Sequence, residues 1–238
     1  MTLKLYVDRL SQYCREVIIF CKLNGIDFEE VYIDLSKRQE FSPEYREVNP
    51  IMQVPAISDG TFKLSESHAI LRYLACAYPG IADHWYPTDL YKRAKVESLL
   101  DWQRVTFPRG PGSYVFYSVL APVAGLPLNP QAAARTERIL IASLATIESV
   151  WLQEKGPFLL GSDQPSIADL SLACEISQLE THSREFEWLD DMKNVMAPHF
   201  EEVQSTIYKA KEKLQNQRNV AGSKNTSSGR KHVPHSKL

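Results

Sequence analysis

The chain opens with an apolar run from Leu3 to Val7, rich in branched and aromatic side chains, that reads as a strand. The period then changes. Ser11 stands where a helix should begin, and the apolar positions after it, among them Val17, Ile18, Phe20 and Cys21, cover most of a helical circumference as far as Gly25. A helix packed on a sheet has that character. Phe28 to Asp34 alternates like a half-buried strand, which completes a β-α-β unit with a parallel pair. After the polar stretch Ser36 to Asn49, the run Val54-Pro55-Ala56-Ile57, a turn at Asp59-Gly60 and the run Phe62 to Leu64 predict a hairpin. Glu66 to Tyr78 predicts a helix, closed by Pro79-Gly80. The order β-α-β then β-β-α describes an α/β thioredoxin-like N-terminal domain over residues 1–80, with residues 81–87 as a linker.

Beyond Thr88 the apolar spacing becomes helical throughout. It predicts helices from Asp89 to about Val105, Pro130 to about Gln153, Pro165 to about Leu179 and Met196 to about Leu214. Residues 88–215 therefore read as an all-α helical C-terminal domain. Ser166-Ile167-Ala168-Asp169 has capping-box spacing, a structural feature worth about 1 kcal/mol. Residues 216–238 are polar and Gly/Ser-containing, and read as a disordered basic tail.

Composition adds less. With 238 residues and 44% hydrophobic content the chain can bury a substantial core. Its net charge is −2, but from Lys209 onward eight Lys/Arg face only Glu212, so this end carries +7 and the remainder −9. Such a tail is compatible with nucleic-acid or membrane contact, or with a solvated end; no nucleic-acid motif accompanies it, and neither partner is expected. Cys14, Cys21, Cys76 and Cys174 form no C-x-x-C pair and follow no signal peptide, which points to a reducing compartment and to no metal site. The apolar stretch Tyr114 to Leu128 falls short of the roughly 20 residues a membrane span needs.

Two constellations carry candidate chemistry. Ser11-Gln12-Tyr13-Cys14-Arg15 lies where a strand meets a helix N-terminus, a position whose free amides and dipole favour an anion. A thiol with an ordinary pKa of about 8.5 ionises more easily there, each unit of depression needing about 1.4 kcal/mol of preference for the thiolate. Ser11 can supply a hydroxyl donor to it, or can be an N-cap and nothing more. The second constellation is Gln53-Val54-Pro55 followed by Glu66-Ser67. A cis Pro55 would turn the Val54 backbone toward a bound peptide, and Ser67 at a helix start could hold a carboxylate. Taken singly, a proline at a strand start and Glu-Ser before a helix are ordinary.

Together these residues resemble the glutathione transferase superfamily, and within it the theta class as found in plants. The resemblance rests on Tyr6 to Gln12, Lys37-Arg38-Gln39, Asn49-Pro50, Val54 to Ile57, Glu66 to Leu71, Asp83 to Pro87 and Ser166 to Leu170, and it spans roughly residues 2 to 208. It implies glutathione as co-substrate, no cofactor, and a pocket for a small apolar electrophile or an organic hydroperoxide against the helical domain. Ser11 would hold the glutathione sulfur as the catalytic residue, with Gln12 beside it. Val54 would pair with the cysteinyl backbone, Glu66 and Ser67 would hold the γ-glutamyl end, and Glu40, Phe41 and Gln53 would border the glycyl end. A homodimer is also implied. Two departures stand out. Gln53 occupies a position where the family pattern leads one to expect lysine, so the glycyl carboxylate meets a hydrogen bond unless Lys37 or Arg38 compensates. The connection between Leu179 and Trp188 is short for the class, which alters the pocket wall. Phe107, Tyr114, Phe116 and Tyr117 are candidates for that wall or for ordinary core.

Ser236-Lys237-Leu238 ends the chain and reads as a peroxisomal address, engaged by an import receptor. That location, alongside the cytoplasm, favours hydroperoxide reduction over conjugation. Thiol transfer through Cys14 and a non-catalytic binding module are the competing readings.

Overall fold

The computed structural model of the protein describes residues 2–117, 127, 129–153, 155–179, 187–209 and 212. Its first half is a four-stranded sheet in the order β2-β1-β3-β4, with β1 at Leu3–Val7, β2 at Phe28–Tyr32, β3 at Ala56–Asp59 and β4 at Phe62–Ser65. Helix α1 (Gln12–Leu23) crosses over the sheet, so β2 returns parallel to β1 and Leu3 pairs with Phe28. β3 and β4 are antiparallel, with Leu5 opposite Ile57 and Ser58 opposite Lys63. Leu3, Leu5 and Val7 alternate inward along β1 and are buried beneath α1 and helix α3 (Ser67–Ala77).

A short helix α2 (Pro43–Val48) covers the opposite face through Tyr45, whose ring centroid lies 6.1 Å from that of Tyr6. It falls inside the polar stretch Ser36 to Asn49, to which the sequence pattern assigns no element. The signals that start it are local: Ser42 accepts from the Tyr45 amide at 3.1 Å, and Pro43 takes the first helical position.

The second half is helical. Helix α4 (Leu90–Thr106) is capped by Asp89, which accepts from the Lys92 amide at 2.9 Å. A π turn (Pro108–Gly112) leads into the single turn α5 (Ser113–Val115). Helix α6 (Pro130–Thr146) is capped by Asn129 and continues as a π turn to Trp151. At the centre stands α7 (Ile167–Ile176), all ten of whose residues are buried. Its capping box forms: Ser166 accepts from the Ala168 amide while Asp169 accepts from the Ser166 amide. Asp169 does more than cap, because its second oxygen takes the Leu159 amide at 2.8 Å and the Trp188 indole N–H at 2.9 Å.

Trp188 belongs to α8 (Glu187–Met196), an amphipathic helix not foreseen from the sequence. The helix expected from Met196 begins instead after a turn at Ala197-Pro198 and runs over 199–209. The connection at 180–186, most of the apolar stretch from Tyr114 to Leu128, and the whole tail with Ser236-Lys237-Leu238 lie outside the described residues. Among the described residues no helix is long and apolar enough to cross a membrane.

One apolar cluster runs through both halves, from Leu5 on β1 through Ile18 on α1 to Leu99 on α4 and Leu170 on α7. Helix α1 lies between the sheet and α7, and every residue from Cys14 to Cys21 on it is buried. A helix buried on all sides is normally apolar throughout. This one carries Arg15 and Glu16.

Candidate functional site

The loop between β1 and α1 is held from several directions. Asp8 accepts from the Leu10 amide at 2.9 Å and the Leu35 amide at 3.2 Å, and its carbonyl accepts from the Ser11 amide at 2.9 Å. The buried Arg15 guanidinium reaches back and donates through Nη1 to the Arg9 and Leu10 carbonyls, 3.0 Å each. Ser11 occupies the N-cap of α1, and its carbonyl accepts from the Cys14 and Arg15 amides at 3.1 Å each. Its hydroxyl makes no capping bond. The simplest reading of Ser11, a side-chain cap, is therefore not what the residue does.

Cys14 is a core residue. Burial pushes its thiol up to about 12, against the pull of the Asp8 amide, which donates to Sγ at 3.4 Å, and of the Ser11 hydroxyl. A thiol held that neutral is a poor nucleophile, which counts against thiol transfer through it.

Where the two halves meet there is a cavity of about 220 Å³, lined among others by Tyr13, Gln53, Val54, Glu66, Ser67 and Gln103. The Val54–Pro55 peptide in its wall is cis. The Gln53 carbonyl is anchored by the Tyr45 hydroxyl at 2.6 Å and the Asn49 side-chain amide at 2.8 Å. Glu66 stands just before α3 with φ of 74°, an uncommon conformation for a residue with a side chain, and its carboxylate is paired with Arg104 from α4. Ser67 follows at the first position of α3, where the amides of the first turn favour an anion.

Beneath the cavity lies a buried polar layer. Ser171 of α7 accepts from Gln103 Nε2 at 2.9 Å and is hydrogen-bonded to His68 Nε2 at 2.9 Å. Burial, reinforced by Arg72 and Arg104, lowers His68 to about 4, so its imidazole is neutral. Glu175, also on α7, faces Gln12 Nε2 at 3.5 Å and lines the cavity; burial raises its carboxyl to about 7. Glu16 is fully enclosed and is raised to about 8 by burial and by the nearby Glu175, against the pull of the Ser171 and Ser67 hydroxyls. The two hydroxyls lie close to the carboxyl, but neither of its oxygens makes a hydrogen bond of normal geometry. Burial likewise keeps the Tyr13 phenol protonated.

Four of the eight residues singled out from the sequence, Gln53, Val54, Glu66 and Ser67, are brought together in the cavity wall. Ser11 and Gln12 are outside its lining, next to Tyr13, which belongs to it. Glu40 and Phe41 sit on a single 3-10 turn (Gln39–Phe41) away from the wall, and the Arg38 guanidinium stacks on the Phe41 ring at 4.7 Å. Lys37 is paired with Asp34 at 2.8 Å, and neither it nor Arg38 belongs to the cavity lining. Phe107 is core, edge-on to Trp102 at 5.8 Å. The wall also has Gln103, Arg104 and Glu175 from the helical half, which sequence reading missed. A faint signal existed for Glu175, the only acid besides Asp169 in the apolar run of α7.

Comparison with known proteins places this architecture. Residues 5–82 match the family described as glutathione S-transferase, N-terminal domain. The chain is 52% identical to glutathione S-transferase T1 of Arabidopsis thaliana, over 92% of this chain and 95% of that protein. It is 50% identical to glutathione S-transferase T3 of the same plant over 93% of its own length but only 40% of that longer relative. Among solved structures, human glutathione transferase theta-2 in complex with glutathione and an unknown ligand superposes with a TM-score of 0.83 at 32% identity, covering 90% of this chain and 91% of the other.

Proposed function

The chain belongs to the glutathione S-transferase family, in its plant theta class, and on that premise we propose that it binds glutathione in the cavity between its halves and that the Ser11 hydroxyl holds the glutathione sulfur as a thiolate. The observation that carries this reading is that Ser11 stands at the N-terminus of α1 with its hydroxyl outside the cap, beside the neutral Cys14 thiol, a weak partner that a glutathione thiolate would replace. A donor there, added to the first-turn amides, favours the thiolate over the thiol. The cysteinyl backbone pairs with Val54, and the γ-glutamyl carboxylate takes the α3 N-terminus at Ser67 with Glu66 beside it. At the glycyl end Gln53 supplies a neutral hydrogen bond.

Two reactions follow from a held thiolate. It attacks a carbon electrophile, displacing the leaving group or adding to it. Alternatively it attacks a hydroperoxide: the O–O bond breaks, the alcohol leaves, and glutathione sulfenic acid forms. A second glutathione then gives the disulfide and water. In both, the site contributes the activated sulfur and the holding of two reactants together. The protein acts as a homodimer in this reading, and Ser236-Lys237-Leu238 directs part or all of it to the peroxisome, where hydroperoxides are the fitting substrate.

The test is Ser11→Ala with cumene hydroperoxide and glutathione. Loss of one donor to the developing anion is expected to lower turnover by roughly 10²-fold while glutathione still binds. Unchanged turnover would sink the assignment of Ser11.

A further inference from the structure

Glu16 is the most anomalous residue of the described chain. It lies on α1, fully buried, with neither carboxyl oxygen hydrogen-bonded, one layer beneath a cavity wall that contains Ser67. An unpartnered buried carboxylate is among the costliest things a core can hold, so the group persists as a neutral acid with a proton to give. The groups around it decide where that proton can go. Ser171 on α7 accepts already from Gln103 and is bonded to His68 on α3. Arg15, its neighbour on α1, turns Nη1 to the Arg9 and Leu10 carbonyls and Nη2 to the Cys174 carbonyl, so it acts on Glu16 through its charge and makes no hydrogen bond to it. Glu175 and Cys174 on α7 complete the enclosure, the first repelling a second negative charge and the second buried as a neutral thiol. The Tyr13 phenol, one turn back on α1, is kept protonated by burial and carries no charge; among the described residues the other group that faces Glu16 is the Ser67 hydroxyl, in the cavity wall.

We propose that protonated Glu16 is a positioning residue for glutathione: it donates to the Ser67 hydroxyl, which is thereby left to donate its own proton outward to the γ-glutamyl carboxylate. A serine hydroxyl has one proton and two lone pairs, so its direction is set by what stands behind it. With Glu16 ionised, Ser67 turns inward as donor to the carboxylate, and the ligand loses a hydrogen bond and faces a buried negative charge. This rests on the reading above that the γ-glutamyl end lies at Ser67.

Because burial places the Glu16 transition at about 8, the consequence is a binding affinity that falls as pH rises. The probe is S-methylglutathione, which has no thiol proton, titrated calorimetrically into the full-length protein at intervals from pH 7 to pH 9. At pH 9 about nine-tenths of Glu16 is ionised, so wild type is expected to bind about tenfold more weakly than at pH 7. Glu16→Gln, whose amide keeps a donor at every pH, is expected to lose this weakening. Titration of the ligand's own amine is common to both proteins and cancels in their ratio. Glu175→Gln, which removes the facing like charge, is expected to move the midpoint to lower pH, and it serves alone if Glu16→Gln does not fold. Parallel weakening in wild type and Glu16→Gln, or an unmoved midpoint in Glu175→Gln, overturns the proposal. Ser67→Ala separates the two layers of the argument: if it binds S-methylglutathione as wild type does, the placement of the γ-glutamyl end is wrong, whatever Glu16 does.

Discussion

Removing the Arg15 guanidinium is expected to destabilise the fold and disable Ser11 together. Arg15 is fully buried, and its Nη1 donates to the two carbonyls that immediately precede the Ser11 turn, Arg9 and Leu10, at 3.0 Å each. Its Nη2 reaches toward the Cys174 carbonyl of α7 at 3.5 Å, so the same side chain ties the loop to the helical half. Hydrogen bonds from a charged donor are worth about 1.5–3 kcal/mol each. Three are lost in Arg15→Leu, the one to Cys174 long and weak, and the loss is offset in part because leucine has no charge to desolvate. A net loss of about 2–4 kcal/mol is expected, or roughly 5–15 °C in Tm for a chain of this size. The loop is then free to shift, and a displacement of about 1 Å at a reacting group costs on the order of 10²-fold in turnover. Arg15→Lys, a point charge in place of a fork, should fall between the two. Urea unfolding followed by circular dichroism gives the midpoint, and turnover at 25 °C, where the variant is still folded, gives the activity. A wild-type midpoint refutes the energetic argument. A lowered midpoint with undiminished turnover refutes the link from Arg15 to Ser11.

Other expectations follow from the same geometry. Asp169→Ala strips acceptors from the Ser166 amide and hydroxyl, the Leu159 amide and the Trp188 indole; thermal melting should reveal a loss of about 3–5 kcal/mol, and a loss below about 1 would mean that these donors find water instead. His68 is lowered from its ordinary 6.5 to about 4 by burial, so the unfolded chain binds a proton in this window that the folded chain does not, and stability is lost as pH falls from about 6.5 toward 4. His68→Gln should flatten the urea midpoint across that window; an unchanged slope assigns the acid sensitivity elsewhere. The Glu66–Arg104 pair is 38% and 52% exposed, so Glu66→Gln should change stability by less than about 1 kcal/mol. The KM for glutathione should nevertheless rise several-fold, and an unaltered KM would remove Glu66 from the γ-glutamyl end.

Much of the fold was readable because the period of apolar residues changes cleanly from two to 3.6. Leu3, Leu5 and Val7 alternate on β1, and α4 and α6 repeat at helical spacing behind Asp89 and Asn129. What failed was short or interrupted. Helix α2 has six residues, too few for a period, and only its Ser42-Pro43 start could have announced it. Helix α8 was missed because its ten residues, lying where the Leu179–Trp188 connection meets the helix expected from Met196, are too few for a clear period, although Trp188, Leu189, Met192 and Met196 form a buried stripe. Within the site, residues near one another in sequence were found, as with Val54 and Gln53 or Glu66 and Ser67. Gln103, Arg104 and Glu175 reach the same cavity from α4 and α7, and no local pattern encodes a meeting across the seam. Glu16 was invisible for a different reason: a single acid on a helix reads as surface until the helix is known to be buried on every side.

The charges along that seam explain one another. Arg15 is positively charged, while burial raises Glu16 to about 8 and Glu175 to about 7, with Glu175 adding to the rise at Glu16. Near neutral pH the trio therefore carries Arg15, one largely neutral acid and one half-titrated acid, a small net positive charge. Full ionisation of both acids would put a net negative charge beneath the cavity and oppose the positive potential that α1 presents at Ser11. A ligand with two carboxylates and an incipient thiolate would then be repelled at both ends. Keeping the acids partly protonated leaves the helix terminus as the dominant field in the site, so the burial that makes Glu16 an awkward core residue is also what keeps its charge from competing with the sulfur.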